Sequence, residues 1–106
     1  MGLAAREHDG YSIVDVEGPR LDAAHADGFK ADLKELIDAG NHRIMLDFSK
    51  VQFMDSSGLG AVVGCMKYLG STGTLEIAGP TPPVQKVLKL TRMNKVFTIH
   101  DSPPPR

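Results

Sequence analysis

The sequence predicts one α/β domain, on three observations. Runs of strand character alternate with segments of helical period, one such run is apolar on both alternations, and Gly, Pro, Asn or Asp stands at the junctions. A length of 106 residues suits one domain and leaves no room for a second. A hydrophobic content of 42% is enough to bury one core without disulfides or a structural metal. Residues 1–102 read as the domain, and 103–106, Pro-Pro-Pro-Arg, as a flexible Pro-rich tail.

Asp9-Gly10 is a two-residue hairpin signal between a short strand, Leu3 to His8, and the alternating run Tyr11 to Glu17. Gly18-Pro19 closes that run, because Pro cannot donate to a sheet ladder. Asp22 then caps a helix from about Ala23 to Ala39, whose apolar stripe is Ala26, Phe29, Leu33, Leu36 and Ile37. Gly40-Asn41 supplies its left-handed end. Arg43 to Phe48 is apolar on both alternations except at Asp47, as in a central strand covered on both faces. After a loop from Ser49 to Asp55, a second helix runs from Ser56 or Ser57 to about Leu69, with Leu59, Val62, Val63, Met66 and Leu69 as its stripe. Gly70 to Gly73 is a turn and Thr74 to Ala78 a strand. Thr81-Pro82 opens a third helix, with Val84, Val87, Leu88 and Thr91 facing inward. Val96 to His100 is a last strand. The predicted order is β-β-α-β-α-β-α-β. Right-handed crossovers then set three helices against a mixed sheet of four or five strands.

The charge balance, 12 basic against 13 acidic residues, supplies no overall basic field for nucleic acid or an anionic membrane. Aromatic residues make up 6%, with no Trp, so base-stacking platforms are not expected. No stretch approaches the roughly 18 apolar residues that span a bilayer. Residues 1–7 lack the apolar run of a signal peptide, and one cysteine, Cys65, forms no intrachain disulfide. The expected location is the cytoplasm. Cys65 itself is expected to be a small core or boundary residue.

Enzyme signatures are weak. Met54-Asp55-Ser56-Ser57-Gly58 ends like a nucleophile elbow, but Met54 stands where that turn needs its first Gly. A serine nucleophile also needs a base, and His8, His25, His42 and His100 have no distinguishing context. There is no phosphate-binding loop, and Gly58-Leu59-Gly60 lacks the third glycine of a dinucleotide motif. One Cys and four scattered His match no zinc spacing. Asp47 and Asp55 read better as a loop anchor and a helix cap than as a cation site. Neither catalysis nor a bound cofactor is expected.

The most informative segment is Phe53-Met54-Asp55-Ser56-Ser57-Gly58-Leu59-Gly60. It places two hydroxyls and a carboxylate in the first turn of a helix, where unpaired amides and a partial positive charge accommodate anions. Two readings stay open on the residues alone. Asp55 and Ser56 serve only as caps, or a serine is presented there for phosphorylation.

Ile44 to Gly60, containing Asp55-Ser56-Ser57-Gly58-Leu59, resembles the strand, D-S-S-G-L loop and helix of the STAS family, in its stand-alone form of bacterial anti-sigma factor antagonist. Gly18 to Asp22 is similar to the family's G-x-L-D element, with one residue more. Leu75 to Gly79 and Val84 to Leu90 resemble its later strand and helix, so the likeness covers about residues 9 to 100. The resemblance implies that Ser56 is the phosphorylation site, with Ser57 as runner-up. It implies partner contacts by Asp22, Asp55, Ser56, Ser57, Gly58 and Leu59. It further implies binding, when unphosphorylated, to an anti-sigma factor that is a serine kinase of the histidine-kinase-like ATPase type, and resetting by a phosphatase. ATP and Mg would belong to the kinase. Residues 101–106 hold no fourth helix of the kind many members carry, so no terminal-helix mechanism is carried over. The alternatives are a STAS module of a stressosome or lipid-transport complex and, behind it, a small serine hydrolase.

Overall fold

A computed structural model describes residues 3–105. The first strand, β1 (Leu3–His8), pairs antiparallel with β2 (Tyr11–Val16). The Asp9-Gly10 turn between them has positive φ at both residues, as the two-residue hairpin demands. β4 (Arg43–Asp47), β6 (Thr74–Ala78) and β7 (Ile99–His100) extend the sheet in parallel, giving the spatial order β1-β2-β4-β6-β7. The helices are α1 (Ala23–Asp38), α2 (Ser56–Leu69) and α3 (Pro82–Leu90). The predicted α/β class, mixed sheet and three helices are all present.

A second, two-stranded sheet was not predicted. β3 (Arg20–Leu21) runs parallel to β5 (Phe53–Met54), in the register Arg20–Phe53 and Leu21–Met54. The last strand is also shorter than Val96 to His100. The chain leaves α3 through Arg92 at φ +60 and a 3₁₀ turn at Met93–Lys95, so only Ile99 and His100 pair, against Ile77 and Ala78. Phe97 is buried even so, delivered to the core by the turn instead of by a strand.

One large core holds the helix stripes together with Val14, Val16, Ile44, Leu46 and Ile77 from one face of the sheet. Ile13, Met45 and Ala78 form a small cluster on the other face, with no helix residue in it. The α1 stripe is placed as predicted, with Leu36 at its half-buried edge. The α2 stripe is placed in part: Leu59, Val62 and Leu69 are buried, Val63 and Met66 are half-buried against the core, and Ala61 and Cys65 are buried besides. Cys65 is therefore a core residue, its Sγ 3.9 Å from the Lys30 carbonyl of α1. Residues 103–105 run back over the sheet, where Arg6 donates to the Pro104 carbonyl at 2.6 Å and to that of Pro105 at 3.2 Å. The tail predicted at 103–106 extends past the described residues at Arg106.

Candidate functional site

The loop that carries Ser56 is pinned at both ends. Asp47 accepts from the Ser49 amide at 2.9 Å, and the Val51 amide donates to the Phe48 carbonyl at 2.9 Å. Phe48 and Val51 are fully buried, each anchoring the loop with roughly 1.5–3 kcal/mol of side-chain burial. Thr81 is the N-cap residue of α3, its carbonyl accepting from the Gln85 amide at 2.8 Å, while its hydroxyl donates to the Val51 carbonyl at 2.5 Å. From the other side, the Pro19 carbonyl accepts from the amides of Gln52 and Phe53 at 2.7 and 3.0 Å. The β3–β5 pair is the continuation of that contact.

This pairing sets the starts of α1 and α2 next to each other. Asp55 bridges them: its Oδ1 accepts from the Gly58 amide of α2 at 2.9 Å and its Oδ2 from the Ala23 amide of α1 at 3.3 Å. The Asp55 carboxylate is thus spent on backbone donors, as a cap should be. Asp22 caps α1 through Ala24 at 3.2 Å and also holds Arg20 Nε at 2.9 Å and His25 Nδ1 at 2.7 Å. The hydrogen bond from Arg20, followed by that from His25, keeps the Asp22 carboxyl below its usual range. Gly58 is buried because a Cβ there would lie 1.9 Å from the Leu21 carbonyl oxygen. Only glycine lets α2 approach β3 this closely.

Ser56 is the first residue of α2 and is exposed. Among the described residues, no group hydrogen-bonds its hydroxyl or that of the equally exposed Ser57. The cap is Asp55 alone, so Ser56 is left without a structural duty. No imidazole reaches either serine: His25 is held by Asp22, His100 by Glu76 at 2.7 Å, His42 by the Thr72 carbonyl and His8 by Asp9. Among the described residues, no group of three or more His, Cys, Asp or Glu side chains could hold a metal ion. No described helix is long and apolar enough to cross a membrane.

Sequence reasoning missed what lies beside Ser56. A groove of about 400 Å³ opens between α2 and α3, lined by Met54, Leu59, Val63, Val87 and Met93, with Ser56 and Gly60 at its edge. Ser57 does not line it. Leu59, predicted as a partner contact, is nearly buried and forms part of the wall. On the β3 side, the Arg20 guanidinium lies 4.3 Å over the ring of Phe53, which is 40% exposed. An aromatic two residues before a helix cap was the available signal for this part of the surface.

Comparison with known proteins places these features in a family. The STAS domain model matches residues 3–103. An anti-sigma F factor antagonist of Paenibacillus polymyxa is 32% identical over 94% of this chain and 86% of its own. The crystal structure of a putative anti-sigma factor antagonist from Thermotoga maritima superposes with a TM-score of 0.81 at 27% identity, covering 94% of this chain and 86% of that one. The anti-sigma factor antagonist SpoIIAA in its unphosphorylated form gives 0.75 at 25% identity, over 92% and 87%.

Proposed function

The chain belongs to the STAS domain family, and on that premise we propose that it is a non-catalytic, phosphorylation-controlled antagonist of an anti-sigma factor, with Ser56 as the switch. The observation that carries the proposal is the Ser56 hydroxyl: exposed, free of hydrogen bonds among the described residues, at the first turn of a helix and at the edge of an apolar groove. Unphosphorylated, the starts of α1 and α2 and the groove form a face that a protein partner covers. Phosphorylation adds about −1.5 to −2 charge at that face. In the free domain, water and the partial positive charge of the α2 start accommodate it. Under a docked partner water is excluded, and an unpaired phosphate there is costly. The added charge therefore releases the partner and leaves the fold intact. The similarity to proteins named anti-sigma factor antagonists supports an anti-sigma factor as that partner. A serine kinase of the histidine-kinase-like ATPase type supplies the phosphate, and a phosphatase removes it.

Ser56 is favoured over Ser57 because only Ser56 borders the groove. The test is incubation with ATP and a candidate kinase, followed by mass spectrometry of the α2 peptide. The expected result is one phosphate on Ser56, absent from Ser56→Ala and removed by the phosphatase. Phosphate on Ser57 alone, with partner release intact in Ser56→Ala, refutes the assignment.

A further inference from the structure

The charges around the Ser56 groove are one-sided. Residues 77–100 contain Lys86, Lys89, Arg92 and Lys95 and no carboxylate, in a chain whose net charge is −1. All four cations are exposed, and none has an ion-pair partner among the described residues. These residues belong to α3 and the turn after it, and this segment supplies one wall of the groove through Val87, Thr91 and Met93. On α3, Val87 and Thr91 form one i, i+4 row facing the groove. Lys86 and Leu90 form the neighbouring row, outward of it. Leu90 is 75% exposed, which carries the apolar surface over the lip into solvent beside a cation.

The position of a lysine near a helix C-terminus has an ordinary explanation, since it offsets the helix dipole. That accounts for Lys89. It does not account for Lys86, one turn further in, or for Arg92 and Lys95, which lie past the last helical residue. The facing wall carries one anion, Asp55, whose two oxygens are directed to the Gly58 and Ala23 amides at the α2 start, against four cations on the α3 side.

We propose that this groove takes an acidic, amphipathic segment of the partner protein. Its apolar side chains enter the slot between α2 and α3, and its carboxylates meet Lys86 and Arg92. The inference rests on the reading of the Ser56 face as the docking face and adds the chemistry of what docks. It also gives the switch a direct cause: a phosphate on Ser56 stands at the edge of the slot and repels an occupant of like charge. Two lining residues, Met54 and Leu59, are nearly buried, so covering the slot calls for inserted apolar side chains, which an amphipathic peptide supplies.

The test uses the full chain, isotopically labelled, and a short synthetic amphipathic peptide with Leu on one face and Glu on the other. A counterpart with every Glu replaced by Lys is the control. The Glu peptide is expected to shift the signals of Val63, Val87 and Met93 and the Lys peptide to leave them in place. Lys86→Glu/Arg92→Glu should weaken the Glu peptide roughly tenfold or more. Gly60→Leu should block it, because a Cβ at Gly60 meets nothing within 4 Å and the added side chain enters the groove. Ser56→Asp should weaken it as well. Equal binding of the two peptides, binding of neither, or shifts confined to another surface overturns the proposal. So does preferential binding of phosphatidylglycerol vesicles or a DNA duplex that is lost in Lys86→Glu/Arg92→Glu, since the cations then serve a different ligand. The peptide comparison on the wild-type chain needs neither a variant nor a kinase. Failure of the peptide thus stands apart from failure of Ser56 phosphorylation.

Discussion

Gly58→Ala places a methyl carbon 1.9 Å from the Leu21 carbonyl oxygen and 2.8 Å from its carbon. Ordinary contacts begin above 3 Å, so α2 and β3 must separate by on the order of an ångström, and both obstructing atoms are backbone. Overpacking of this kind costs about 1–3 kcal/mol. Separation also stretches the bond from the Ala23 amide to Asp55, already 3.3 Å long, worth about 0.5–1.5 kcal/mol. Against this, replacing Gly by Ala inside a helix returns about 1 kcal/mol. The net loss is about 0.5–3.5 kcal/mol, centred near 2. For a domain of this size each kcal/mol moves Tm by roughly 4–8 °C, so the central value lowers the melting point by about 8–16 °C. Gly60→Ala, two residues along the same helix, is the internal control. A Cβ there meets nothing within 4 Å, so only the propensity gain remains and Tm should rise by roughly 4–8 °C. Urea and thermal unfolding followed by far-UV circular dichroism measure both. Opposite signs are expected. If Gly58→Ala proves as stable as wild type, the close approach of α2 to β3, and with it the juxtaposition of the two helix starts, is wrong.

Ser56→Asp is expected to unfold at the same denaturant concentration as wild type within about 0.5 kcal/mol, since the site is exposed. Its affinity for the anti-sigma partner should nevertheless drop at least about tenfold, whereas Ser56→Ala binds without release by ATP; calorimetry decides, and unchanged affinity of Ser56→Asp removes the switch. Because the Asp22 carboxyl lies below its usual 3.8 in the folded chain, its contribution to stability is fully present above that value. It is lost as the pH falls through the folded-state value, so acid unfolding of Asp22→Asn should be shallower than that of wild type below about pH 4. Burial pushes the Cys65 thiol above its ordinary 9.0. Iodoacetamide at neutral pH should therefore label it slowly in the native chain and rapidly in denaturant; fast native labelling would place Cys65 outside the core.

The sequence made α1 legible at both ends, because each carries its own chemical marker: Asp22 accepting from Ala24, and Gly40 at φ +105. The hairpin was legible for the same reason, since few dipeptides other than Asp9-Gly10 favour positive φ twice. The β3–β5 pair was not. Two residues per strand give no periodicity to read, and the pairing is between segments more than thirty residues apart. The end of the sheet misled for a different reason. Val96, Phe97 and Ile99 look like strand residues, but Phe97 fills the core from a turn and Val96 is left 51% exposed. At the site, Asp55 and Ser56 were legible as a helix start. The link from Asp55 to α1 depends on the unreadable strand pair.

The partial departure of α2 from its predicted stripe has a physical content of its own. Counting large apolar residues puts the buried face on Leu59, Val62, Val63, Met66 and Leu69. Leu59, Val62 and Leu69 are buried as counted, and the helix also buries small residues, Gly58 against Leu21 of β3 and Cys65 beside Lys30 of α1. Small residues permit close backbone approach. The arrangement leaves a surplus. Val63 is half-buried at the edge, and with Leu59 it lines, opposite Val87 and Met93, a slot that no other described residue fills. An apolar surplus of this kind is unfavourable in water, and a partner that covers it recovers roughly 25 cal/mol for each Å² of apolar surface buried. On the proposed reading, the helix that presents the switch hydroxyl would thus also present the surface that a partner covers. The Gly58 contact with Leu21 holds the start of that helix against β3, so the proposed docking face and its proposed control by charge share one packed element.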